Sequence, residues 1–93
     1  MLTLPIKRKW FDMIAYGGKT EEYREIKPYY DSRFQRINEP FVMRFRAGYS
    51  KSSPSMECRV VVNKGTGEEK WGAVIGITYY VLSILSCKVL NVG

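Results

Sequence analysis

Histidine is absent from this 93-residue chain, and that one absence removes much of ordinary enzyme chemistry. Without an imidazole there is no Ser-His-Asp or Cys-His nucleophile and no ribonuclease chemistry of the two-histidine kind. Histidine-based metal sites are excluded as well. Cysteine is scarce. Cys58 and Cys87 lie far apart and outside any C-x-x-C pair, which argues against structural zinc. Two buried, reduced thiols are expected instead, and no metal or cofactor is implied. A long apolar run is also missing. The most apolar stretch, Val74 to Leu85, is broken by Gly76, Thr78 and Ser83 and is too short for a span of roughly 20 residues. No signal-peptide pattern and no long basic amphipathic helix occur, so the expectation is a cytoplasmic protein without a membrane partner.

Acidic residues are outnumbered. Nine Asp and Glu stand against fifteen Lys and Arg, giving a formal charge of +6. Such a balance points to polyanionic partners, nucleic acid first among them. A hydrophobic share of 45% with 26% charged residues is that of an ordinary folded domain, and the length allows one domain over residues 1–93.

What is present reads as a mixture of strand and helix patterns. Met1 to Ile6 begins as a short apolar strand, with Pro5 tolerated near its end. Trp10, Met13 and Ile14 have the spacing of a helix face, widened by Phe11 and Ala15, which predicts a helix over about Lys7 to Tyr16. Gly17 or Gly18 then caps it in a left-handed turn. Thr20 to Glu25 follows as a polar strand with Thr20, Glu22 and Arg24 on one face, and Glu21, Tyr23 and Glu25 on the other. Neither face is apolar, so one is expected to line a polar cleft. Pro28 opens a short helix through Phe34, and Asn38-Glu39-Pro40 reads as a turn.

Phe41 to Ala47 is the clearest strand, with Phe41, Met43, Phe45 and Ala47 inward and Arg44 and Arg46 outward. A Ser- and Gly-rich loop, Gly48 to Ser55, joins it to a second alternating strand, Met56 to Val62. Lys64 to Lys70 reads as a flexible connection with Glu68 and Glu69 solvated. The last strand or strands fall within Ile77 to Leu90, where Tyr80-Val81-Leu82 is apolar on both faces and Ser86-Cys87-Lys88 marks a bend. Together these patterns predict an α+β fold.

Two constellations carry chemistry. Lys19, Glu22 and Arg24 place a movable ammonium, a carboxylate and a planar guanidinium around the turn from helix to strand, suited to phosphate or carboxylate. Their bland alternative is a salt bridge at a cleft rim, worth roughly 0–1 kcal/mol. Arg44, Arg46, Tyr49, Ser50 and Lys51 combine phosphate-pairing cations with a loop tyrosine able to stack on an unpaired base. Their alternative is a solvated strand face and a polar loop. Lys7, with Arg8 and Lys9, adds to the same field if the helix start faces the cleft. Trp71 reads better as a cover over the end of the core than as a stacking residue. A magnesium held through Glu21, Glu22 and Glu25 is disfavoured, because the three do not share a face.

The spacing Gly17-x-Lys19-x-x-Glu22-x-Arg24 resembles the G-x-K-x-x-E-x-R signature of ASCH domains, relatives of the RNA-binding PUA fold. Leu4-Pro5-Ile6-Lys7, Trp10 to Ile14, Phe45 to Lys51, Ser53 to Met56 and Trp71-Gly72-Ala73 are also similar to small phage and bacterial members of that family. The resemblance implies a PUA-like small β-barrel, or pseudobarrel, with two short helices. It also implies a cleft beside the signature that binds RNA or a nucleotide-like ligand. Some relatives look like ribonucleases, and others resemble amidohydrolases that deacetylate modified cytidine. In that last group a threonine nucleophile stands where this chain has Glu22. Binding is therefore the leading expectation. A hydrolase using Lys19 and Glu22 in the same cleft is the alternative, and so is a phage accessory protein that binds a host protein.

Overall fold

Strict alternation builds the centre of the sheet. Strand β3 (Phe41–Arg46) buries Met43 and Phe45, and strand β4 (Ser55–Gly65) buries Met56, Cys58, Val60 and Val62 at every second position. Side chains two apart on a strand share a face, so both strands turn one apolar face toward the same core. They pair antiparallel from Phe41↔Val60 to Arg46↔Ser55, forming the hairpin that the patterns predict. The computed structural model describes residues 1–93.

Around this hairpin the remaining elements complete an α+β half-barrel. Strand β1 (Thr3–Pro5) pairs parallel to β3, and β5 (Tyr79–Asn91) pairs antiparallel to β4. Strand β2 (Glu21–Glu25) adds antiparallel to the first part of β5, giving the order β1-β3-β4-β5-β2 in one curled five-stranded sheet. Helix α1 (Arg8–Ala15) packs against the sheet through Phe11 and Ile14. Helix α2 (Pro28–Asp31) is a single turn with Pro28 at its first position, where a missing N–H costs nothing. Behind it Phe34 is buried, stacked on Tyr30 and edge-on to Tyr80. No helix is long and apolar enough to cross a membrane.

Four details differ from the sequence patterns. The buried centre of α1 is Phe11 and Ile14, whereas Trp10 and Met13 are half-buried, Trp10 because it walls the cleft described below. The bend expected at Ser86 to Lys88 falls one residue earlier: Arg59 pairs Ser86 and Val60 pairs Ile84, leaving Leu85 as the bulged residue. The stretch after β4 is not a slack connection. It runs through a 3-10 turn (Glu69–Trp71) pinned to β2, as described below. Finally, Cys58 is buried but Cys87 is exposed, although the two face each other in register on β4 and β5. Burial, with Cys87 beside it, pushes the Cys58 thiol up to about 12.

Candidate functional site: a caged lysine beside an open cleft

The site begins at the end of α1. Gly17 takes a left-handed conformation, φ 82°, that a side chain would resist. The N–H of Gly18 then donates to the Met13 carbonyl at 2.8 Å and that of Gly17 to the Ile14 carbonyl at 3.1 Å. This is a Schellman ending, and it reverses the chain so that the next residue, Lys19, points inward.

Lys19 has no solvent exposure at its side chain. Its Nζ donates to the Trp71 carbonyl at 3.1 Å and stands 3.3 Å from Glu22 Oε1. The rings of Trp10, Tyr23 and Trp71 surround it, with centroids 4.8, 5.1 and 5.8 Å from the nitrogen. Cation–π attraction of this kind is stronger in a desolvated place than at a surface. Burial nevertheless leads. It holds the Lys19 pKa below its ordinary 10.5, with Glu22 opposing the shift and Arg24 adding to it.

The lid on this cage is the segment between β4 and β5. A Cβ on Gly67 would fall 2.5 Å from the Tyr23 ring, so only glycine lets the chain lie that close. The Glu68 N–H donates to Tyr23 Oη at 2.8 Å, and Tyr23 Oη donates to Glu21 Oε1 at 2.7 Å. Burial raises the Tyr23 pKa to about 12, and the bond to the Glu21 carboxylate works in the same direction. Trp71 Nε1 donates to the Gly18 carbonyl at 3.2 Å, which closes the lid onto the turn.

Glu22 divides two neighbourhoods. Its Oε1 faces Lys19 and its Oε2 accepts from Arg24 Nη2 at 2.8 Å. Arg24 Nη2 also donates to the Pro5 carbonyl at 2.7 Å, and Nη1 donates to Tyr30 Oη at 3.1 Å. Pro5 belongs to β1 and Arg24 to β2, the two ends of the sheet. The guanidinium therefore ties together the edges that the curled sheet leaves apart. Its Nε is buried without a partner.

Outside that tie lies an open cleft of about 340 Å³. Lys7, Arg24 and Lys27 line it together with Trp10, Tyr30 and Tyr79, while Glu22 and Glu25 are its acids. A neighbouring cleft of about 320 Å³ shares Pro5, Ile6 and Lys7 and adds Gly48 and Tyr49, whose ring is 90% exposed. Lys7 thus stands between two adjoining hollows.

The predicted site residues divide accordingly. Lys7, Glu22, Arg24 and Tyr49 come together along these clefts. Lys19 is walled off from them. Arg44 lies on the outer face of the sheet, 3.6 Å from Glu57 on β4, and Arg46 is half-buried beside Pro5 on that face. Ser50 bonds within its own loop, to Ser52 Oγ at 2.9 Å, and Lys51 is exposed beyond both hollows. Thr20, expected on the face of Glu22, precedes β2 and is exposed. Trp71 is the cover expected of it, but it covers Lys19. No three acidic or thiol side chains converge as a metal site would need.

Lys27, Tyr30 and Tyr79 were not among the sequence candidates. The signal for the first two was available in Lys27-Pro28-Tyr29-Tyr30, a basic and aromatic run directly after the polar strand. Tyr79 had none, because only the β2–β5 pairing, Glu25↔Tyr79, brings it to the cleft. No family model, curated protein or solved structure matches the chain.

Proposed function

We propose that the chain is an ASCH-like domain with a PUA-like half-barrel that binds single-stranded RNA, or a nucleotide-like piece of it, in the cleft at the β1–β2 opening. One observation carries this reading: exposed cations and aromatic rings, Lys7 and Lys27 with Trp10, Tyr30 and Tyr79, line the same hollow. Cations answer phosphates and ring faces answer unpaired bases, and single-strand binders combine the two. Tyr49 in the adjoining hollow extends the stacking surface. Arg24 shapes the cleft by holding Pro5 and Tyr30.

Binding is favoured over hydrolysis by the state of the one amine with a lowered pKa. A general base or nucleophile must come within hydrogen-bond reach of the reacting atom. Lys19 is enclosed by three rings and a backbone carbonyl, and its acid partner Glu22 is held from both sides. The test is titration of a labelled single-stranded oligouridylate at low and raised salt, with the RNA length checked afterwards. Saturable binding that weakens steeply with salt and leaves the RNA intact supports the reading. Absence of binding at low salt refutes it, and cleaved RNA moves the chain to the hydrolases.

A further inference from the structure

A separate hollow of about 410 Å³ lies apart from the clefts just described. It lies at the other end of β1, where Met1 and Leu2 meet Phe41 and Val42 of β3 and the segment that follows α2. Ser32, Arg33, Gln35 and Arg36 supply its polar side, and no acid lines it. The nearest acid in the sequence, Asp31, is held by Tyr80 Oη. Arg33 is partly committed, with Nη1 donating to the Tyr29 carbonyl at 2.7 Å and the guanidinium 3.5 Å from the Tyr29 ring centre. Arg36 is exposed and has no ion pair. An apolar wall of Leu2, Phe41 and Val42 thus faces an uncommitted guanidinium and a second one laid flat on a tyrosine.

Both hollows border the same two elements. The cleft at Arg24 touches Pro5 and Ile6 at the end of β1, with Lys27 and Tyr30 of the α2 region. The hollow at Arg36 touches Leu2 before β1, with Ser32 and Arg33 just after α2. Leu2 and Pro5 are three residues apart along extended chain, or about 10 Å. A short single strand of nucleic acid spans such a gap, and the two hollows are then successive stations for it.

We propose that the Leu2–Phe41–Arg36 hollow is a second nucleotide subsite, taking a base against Phe41 and Val42 and a phosphate at Arg36. The inference rests on the RNA-binding reading above and deepens it, since the ligand becomes an extended strand and not a mononucleotide.

The experiment compares a dinucleotide with an octauridylate on the wild type and on Arg36→Ser, Val42→Glu and Lys88→Ser. Arg36, Val42 and Lys88 are exposed, so none of these changes removes core packing. Lys88 lies on β5, and its loss matches the charge change at Arg36 away from β1. The expected result is that Arg36→Ser weakens the octanucleotide about fivefold and lowers its salt slope by roughly 0.7, one phosphate contact, while dinucleotide binding stays as in the wild type. Val42→Glu weakens the octanucleotide further, and Lys88→Ser leaves the slope unchanged. Octanucleotide affinity and slope that are the same in Arg36→Ser as in Lys88→Ser overturn the subsite alone. Failure of the wild type to bind either length removes the parent reading and this one together.

Discussion

The cage that holds Lys19 and the cleft that Lys7 overlooks share Trp10, Glu22 and Tyr23 as walls, yet they treat positive charge in opposite ways. In the cage the ammonium has exchanged water for three ring faces, one carbonyl and one carboxylate oxygen. In the cleft, Lys7 and Lys27 remain exposed to solvent, with Lys27 Nζ 3.8 Å from the exposed Glu25 carboxylate. A row of cations in a motif is therefore not a row of ligand contacts. Lys19 secures the turn and the lid, Arg24 secures the opening of the sheet, and the proposed binding falls to the exposed lysines. Glu22 serves both sides at once, which makes it the residue whose loss separates the two regions most sharply.

The largest effect is expected there. Glu22→Ala leaves Lys19 and Arg24 without their common counter-charge in a desolvated place, and breaking a buried pair from one side costs about 3–5 kcal/mol. Urea unfolding measures it, and a loss below about 1 kcal/mol would mean that the cage is open to water. Gly67→Ala comes next. Its methyl meets the Tyr23 ring and Ala73, so the lid must lift, at about 1–3 kcal/mol. Trp71 fluorescence should shift toward that of an exposed indole in the same variant.

Lys19→Met is expected to cost less than Glu22→Ala, because the methionine fills the cage and no buried charge is left without a partner. Arg24 still satisfies Glu22 in that variant. The same pair of proteins gives a pH test. The folded pKa of Lys19 lies below the unfolded value of 10.5, so between the two the unfolded chain holds more protons and stability rises with pH. Wild type should therefore gain on Lys19→Met as pH climbs toward 10.5, and the gain stops above it. Falling relative stability over that range would mean that the cage favours the ammonium over the neutral amine. Tyr23, raised to about 12, acts oppositely in both proteins above pH 10, so it cancels in the comparison.

The strand and helix content was legible because β3 and β4 alternate and α1 carries its apolar face at helical spacing. The glycine pair gave the turn, and Glu22 with Arg24 on one face of β2 follows from the two-residue period alone. Three things were not legible. The direction of Lys19 depends on the six-residue reversal at Gly17 and on a lid more than forty residues later, contacts that no local pattern contains. The part played by Arg24 depends on which strands end the sheet. The scattering of Arg44, Arg46, Ser50 and Lys51 depends on β3 lying inside the sheet between β1 and β4, where Arg44 stands beside Glu57 and neither arginine lines the cleft. Long-range pairing, and not the local pattern, decides which of these side chains share a hollow.

The central claim, that exposed lysines bind and the caged one does not, is tested most directly by the salt dependence of oligouridylate binding in two variants. Lys7→Ser with Lys27→Ser removes two exposed cations and should flatten the slope by roughly 1.4, two phosphate contacts on a single strand. Lys19→Met should leave the slope as it is in the wild type. A slope that falls by roughly 0.7 in Lys19→Met while the double variant is unchanged would contradict the account, because the caged ammonium would then be the one that meets the phosphate.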